Sequence, residues 1–451
     1  MSFLLPDLFP AKAQFARRLS QLVTLSSLAF LSHFAYAAKE TANTPLSLQA
    51  AQGIALERSL QLKAQDAMVN ASFEMAKAAS QLPDPTLKLG IDNLPIQGAN
   101  RWSLNREEMT MRRVGLMQEI TNSEKRQSKS ALYLREADKN QATKTLAAAG
   151  VKRDSGFAWL EQYYLRKMRT LVEAQMEHAN HEVTAIETAY RAGRGNQADI
   201  FLARGEKFNL ENRLSELRTR VNKSQILLAR WVGDEVERNL AERTPVVEFE
   251  LTTTQIETRI AAHAQLRVLE QQEAISQAQI QLATANKKAD WSVELTLQQR
   301  GSAYGNMISV GLSRPLQWDQ AKRQDRELAA RIANLEADQA MRQEAQREMN
   351  ATAQAVFIAW KNSRERLQNF QETQLSLSQD RVTASLAAYR GAKMTLNELM
   401  MARRNALEVG LQQLQLEWDT AKLELELDYF LGADLVHYAS VGKDHLVGEA
   451  K

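Results

Sequence analysis

Two carboxylates stand out by their setting. Asp199 lies in AYRAGRGNQADIFLAR (189–204) and Glu398 in AYRGAKMTLNELMMAR (388–403), and they are 199 positions apart. Tyr190 and Tyr389 keep the same interval, as do Ala203 and Ala402. Each acid follows a short turn-forming stretch and precedes a resumed helical pattern, so each belongs at the start of a helix. A carboxylate there interacts favourably with the N-terminal helix dipole, by about 0.3–1 kcal/mol. Ala192, Gly193, Arg194, Gly195, Gly391 and Ala392 form the two turns, small and conformationally permissive.

Two other groups have metal-binding chemistry. Met109, Met111 and Met117 share one strand parity with Arg113 and Glu119, and thioethers suit copper(I) or silver; the plainer role is packing. His178 and His181 stand three apart with Glu177 and Glu182 beside them, where two ligands on one helical face hold a cation weakly; the plainer role is a solvated surface. No Gly-x-Ser-x-Gly, phosphate-loop or Cys/His spacing occurs among the 451 residues, and there are only six histidines. The chain is therefore expected not to be an enzyme and to carry no bound cofactor.

The elements that position these residues are long. Residues 47–81 have the spacing of a helix, stopped by Leu82-Pro83-Asp84-Pro85. Residues 86–92 and 113–120 alternate apolar and polar with period two, as strands do. From about Asn122 a helical period runs to Tyr190, and Val172, Met176, Ala179, Val183, Ile186 and Tyr190 form a coiled-coil seam. At 1.5 Å per residue this run extends roughly 100 Å, too long for a small globular domain. Ile200, Ala203, Leu210, Leu214, Leu217, Val221 and Leu228 continue the seam after the tip, with Lys207 and Ser224 as polar interruptions.

The plan then repeats. Residues 252–288 have a helical period, 292–299 and 307–313 alternate as strands, and no Gly or Pro appears between Pro315 and Gly391. Leu407, Leu411, Leu414, Trp418, Ala421 and Leu425 mark the returning seam. The expected organisation is thus a first repeat over 38–233 with its tip near 192–198, a connector over 234–251, a second repeat over 252–432 with its tip near 391–397, and a polar tail over 433–451. Self-similarity of this length means one structural unit built twice.

Composition agrees. Gly (18) and Pro (8) are scarce and charged residues (25%) are mixed in sign, which favours long solvated helices. A net charge of +3 without a basic block gives no support to nucleic-acid binding. Cysteine is absent, which excludes disulfides, a thiol nucleophile and a lipidated cysteine. Residues 1–37 resemble a secretory signal: Lys12, Arg17 and Arg18, an apolar core at 21–31, and a small-x-small site at Ala35-Tyr36-Ala37. No later apolar run approaches 18 residues, so a membrane-bound mature chain must enter the bilayer as barrel strands, apolar outside and polar inside. The same alternation also suits a hairpin on a soluble sheet.

A signal, two β-hairpins and two giant helical hairpins, all duplicated, resemble the TolC family of outer-membrane efflux ducts. The segments LPDPTLKLGIDNLPI (82–96) and MTMRRVGLMQEI (109–120) look most like its heavy-metal branch, which partners RND pumps. The resemblance implies a mainly α fold with a small β part. In it a homotrimer closes a twelve-stranded barrel, four strands per chain, above an α-helical periplasmic tunnel. Four strands cannot close such a barrel alone, so an oligomer is required. It further implies a passive outer-membrane duct in a Gram-negative cell, not lipidated, in contact with outer-membrane lipid, a periplasmic adaptor and an inner-membrane RND pump. Glu398 and Asp199 would then form carboxylate rings at the periplasmic entrance, selective for cations, and the tip residues would receive the adaptor. Met401 takes the place of a second gate carboxylate one turn past Glu398. A drug, dye or type I secretion duct of the same fold, or a soluble periplasmic coiled-coil adaptor or scaffold, are the alternatives.

Overall fold

The computed structural model describes residues 44–243 and 251–432. The expected signal (1–37), residues 244–250 of the connector and the polar tail (433–451) lie outside the described residues. Two compact units are built from interleaved segments, one from residues up to 58, 154–245 and 367–421, the other from 59–153, 246–366 and 422 onward.

The first helical run is broken where the period alone gave one helix. Helix α1 (Leu48–Arg58) ends before Ser59, which caps α2 (Leu60–Ala79) by accepting from the Leu62 amide. The second repeat breaks likewise: α5 (Thr253–Ala261) stops short of His263, which caps α6 (Ala264–Ala285). A capping serine and a capping histidine carry no periodicity signal, so neither break was visible as a change of period. The long helix α3 (Ser123–Arg191) is continuous over 69 residues, and α4 (Gln197–Val232) returns from its tip. Its counterpart, the run without Gly or Pro between Pro315 and Gly391, is less regular. A turn over 318–323 precedes α7 (Gln324–Asn369), and a π-helical segment, Phe370–Leu375, separates it from α8 (Ser376–Arg390). Helix α9 (Leu396–Leu431) completes the second hairpin.

The four strands form one antiparallel sheet in chain order: β1 (Thr86–Asp92), β2 (Met111–Ile120), β3 (Trp291–Gln299) and β4 (Met307–Ser313). Register aligns the apolar positions into continuous rows. Leu89 faces Val114, Val114 faces Leu297 and Leu297 faces Ile308. One row on, Leu87, Leu116, Leu295 and Val310 are aligned in the same way. The opposite face carries Lys88, Arg113, Thr296, Glu294 and Ser309. There Lys88 Nζ lies 2.6 Å from Glu294 Oε2, and Arg113 Nη1 3.6 Å from Asp92 Oδ2.

In the unit that contains the sheet, the helical core gathers Ile256, Ile260, Leu266, Met349, Ala353 and Trp360 with Leu427 and Leu431. In the other unit the expected seams meet directly. Leu165, Met168 and Val172 of α3, Leu214, Leu217 and Val221 of α4, and Leu407 and Leu411 of α9 form one cluster. Of the two polar interruptions, Ser224 is buried and bonded to Gln162, while Lys207 reaches Glu211 at the surface. Tyr190 departs from the seam and is exposed.

Candidate functional site

The two tips are built by the same backbone motif. At the first, the Arg194 amide donates to Ala189 O (2.9 Å) and the Gly193 amide to Tyr190 O (3.0 Å). At the second, Lys393 donates to Ala388 O (2.8 Å) and Ala392 to Tyr389 O (3.0 Å). This nested pair of bonds is the Schellman ending, which places one residue in the left-handed region. Gly193 fills that place at φ 72°; at the second tip it is Ala392, at φ 54°, with the glycine one residue earlier at Gly391. The duplicated turn has thus exchanged Gly and Ala, and the alanine carries the steric cost.

The acids follow at matching positions, three residues beyond each helix cap. Glu398 is held firmly. Its Oε2 accepts from the Thr395 amide (2.9 Å) and the Thr395 hydroxyl (2.7 Å), while Thr395 Oγ1 accepts from the Glu398 amide (3.3 Å). That is a capping box, T-x-x-E, which a dipole argument from the sequence had not resolved. The Thr395 amide, and then its hydroxyl, hold the Glu398 carboxyl below the usual range although it is exposed. At the first tip the cap is Asn196, whose side chain accepts from the Ala198 amide (3.1 Å), and Asp199 does not complete a reciprocal bond to it. Asp199 is half-buried and Glu398 exposed.

Ion pairs bind the helices just beyond the tips. Arg204 reaches back to Glu187 of its own hairpin at 2.7 Å. Its counterpart in the repeat, Arg403, finds Leu386 where Glu187 would be and pairs instead with Glu182 of α3. Arg404 pairs with Glu206 and Arg213 with Glu408. Beneath them Ala203, Leu396 and Met400 are buried, with Val183, Ile186, Leu202 and Tyr389 packed around.

The histidine pair loses one of its neighbours to this network. Glu182 is taken by Arg403, and His181 lies 4.0 Å from Glu177 with both side chains exposed. Among the described residues no three His, Cys, Asp or Glu side chains gather as a metal site. The methionines also divide. Met111 and Met117 lie on the polar face of β2, with Met307 of β4 on the same face, but Met109 precedes the strand and is exposed in the loop. Met111 and Met117 are separated by about 20 Å of strand, too far to share an ion within one chain.

The outward rows of the sheet are bare. Leu87, Leu89, Ile308, Val310 and Leu312 are 62–75% exposed. No described helix is long and apolar enough to cross a membrane. Solved structures with this architecture are outer-membrane channels. VceC, an outer membrane protein of Vibrio cholerae, superposes with a TM-score of 0.68 at 15% identity, covering 85% of this chain and 96% of that one. The fold is that of an outer-membrane channel protomer. The CmeC outer membrane channel of Campylobacter jejuni matches with a TM-score of 0.70 at 12% identity, covering 89% and 88%. CusC, described with transmembrane channel formation, matches at 0.68 and 12%, covering 86% and 93%. No family model and no curated protein sequence matches the chain.

Proposed function

We propose that this protein is the outer-membrane exit duct of a tripartite efflux system, a homotrimer closed by twelve strands and coupled through a periplasmic adaptor to an inner-membrane RND pump. The observation that carries the reading is the sheet. Its exposed face is a run of aligned Leu, Val and Ile side chains, and its other face is polar with paired charges. A soluble protein leaves an apolar face of this extent covered; lipid covers it in a barrel. The duct moves nothing by itself: the pump supplies the energy, and the trimer supplies a path.

Heavy-metal cations are the favoured cargo. The segments 82–96 and 109–120 support this, as do Met111, Met117 and Met307 on the polar face, where three copies would form thioether rings. At the periplasmic end Glu398 and Asp199 would form acidic rings, and the residues 192–195 and 391–392 would meet the adaptor.

The duct is tested by fractionation: a heat-modifiable trimer in outer membranes is expected, and recovery as a soluble periplasmic monomer overturns it. Cargo is tested by growth of a deletion strain on metal salts and on lipophilic drugs and dyes. Hypersensitivity confined to metals is expected. Sensitivity to drugs alone keeps the duct and discards the metal.

A further inference from the structure

The apolar face of the sheet ends in two different ways. Toward the loops its last row is Ile91, Arg112 and Gln299. Toward the helices its last row pairs Ile120 with Trp291, and Arg314, the residue after β4, continues the apolar parity of Ile308, Val310 and Leu312. The Arg314 guanidinium lies 5.1 Å over the Trp291 ring. Arginine rows therefore bracket the band. From Arg112 to Ile120 is about 26 Å of strand, or about 20 Å of height at the tilt barrel strands adopt, close to the apolar band of an outer-membrane barrel.

Just beyond this edge the chain displays more apolar surface. Leu316 is 66% exposed and Trp318 87%, the most exposed tryptophan of the described residues. The segment is held in place: Gln317 Nε2 donates to Asn286 O and Gln320 Nε2 to Lys287 O, each at 3.1 Å. An indole held open to solvent, four residues past the arginine that covers a second tryptophan, has the chemistry of a headgroup layer. The rings suit the boundary between acyl chain and water, and the cation suits a phosphate.

We propose that Trp291, Arg314 and Trp318 form a lipid-anchoring edge that fixes the height of the barrel in the bilayer, with Arg314 facing a phospholipid phosphate and Trp318 lying in the headgroup region. The inference rests on the barrel reading above. The chain has no cysteine, so Leu312→Cys and Trp318→Cys can each carry a single fluorescent label in the full-length, assembled protein. Both are reconstituted in vesicles of phosphatidylethanolamine and phosphatidylglycerol bearing nitroxides either near the headgroup or near the acyl-chain end.

The label at position 312 is expected to be quenched best by the deep nitroxide and that at 318 by the shallow one. Adding Arg314→Glu should reduce shallow quenching at 318 by roughly half, since it replaces a cation attracted to the anionic surface by a carboxylate repelled from it. A label at 318 that meets only aqueous iodide, or only the deep nitroxide, overturns the anchoring edge while position 312 still reports lipid. If position 312 also meets only water, the barrel reading itself fails.

Discussion

At the scale of single residues, the tips carry the clearest departure from local preference. An alanine in the left-handed region costs about 1–2 kcal/mol, and Ala392 sits there while its neighbour Gly391 does not need to. Ala392→Gly relieves that cost and returns about 0.4–1 kcal/mol to the unfolded chain as entropy, so a net gain of about 0.5 kcal/mol is expected in local opening measured by amide exchange at Lys393. Gly193→Ala should lose about 1 kcal/mol at the first tip, and equal protection in both variants would mean the two turns are not the same motif. The exchange of Gly and Ala is plain in the aligned sequences, but which of the two positions is left-handed is not, because the Schellman bonds decide it. His263 was equally silent in the sequence. Its Nδ1 accepts from the Gln265 amide, so the ring is neutral with the proton on Nε2, which donates to Tyr429 O. Burial holds its pKa below the ordinary value against the opposing effect of that bond. The folded state therefore resists protonation that the unfolded chain accepts. The stability it contributes is complete above the unfolded pKa and is lost as pH falls through the folded one. His263→Asn, which keeps a cap but cannot titrate, should flatten that part of the stability–pH curve, on the acid side of the ordinary histidine pKa; an unchanged slope would remove His263 as its source.

At the scale of elements, the two repeats differ by three residues between sheet and tip; the connection from strand to helix is longer in the second (314–323 against 121–122), and its helical run carries a π turn that the first lacks. Val114 to Tyr190 spans 76 positions, whereas Val310 to Tyr389 spans 79. A π turn accommodates one residue more than an α turn without disturbing the faces on either side. The second repeat contains such a turn at Phe370–Leu375, where no residue is buried. Deleting exposed Thr373 is expected to leave a regular helix with its seam intact, and the protein should still assemble as a trimer on gels. Deleting fully buried Ala353 from regular helix should rotate the seam by about 100° and abolish assembly. Loss of assembly in both would show that the π segment does not absorb an insertion. The 3.5-residue seams were legible because they reflect burial, which sequence encodes directly: Val172, Leu217, Val221, Leu407 and Leu411 are all buried. The period-two strands were legible because their two faces differ in polarity, although the apolar one is exposed. The breaks at Ser59 and His263, the turn before α7 and the π segment were not, because each is set by a single cap or by register. The switch of Arg403 from its own hairpin to Glu182 follows from one difference between the copies, Leu386 for Glu187, and becomes visible only once the helices are placed side by side.

At the scale of the whole molecule, the proposed duct must be greasy outside, wet inside and discriminating at one end. The sheet's two faces should therefore respond oppositely to charge. Leu295→Arg, on the apolar face, is expected to lower barrel stability by about 2–4 kcal/mol and to deplete trimer from the outer membrane. Ser309→Arg, on the polar face, should assemble normally. Discrimination falls to Glu398, where the sequence offered two readings and the capping box makes them separable. Glutamine at that position still accepts from the Thr395 amide, so Glu398→Gln keeps the helix start while removing the charge. If three Glu398 carboxylates line the entrance, reversal potentials in planar bilayers should shift away from cation preference in this variant, with the trimer intact. Because the Thr395 amide and hydroxyl lower its pKa, the wild-type preference should persist as pH falls through the ordinary glutamate range and fade only in more acid solution. Thr395→Val removes the hydroxyl bond and should move that fade to higher pH without abolishing selectivity at neutrality. A Glu398→Gln duct that retains full cation preference would leave Glu398 as a helix cap alone and move the search to Asp199, which sits at the matching position without the reciprocal bond.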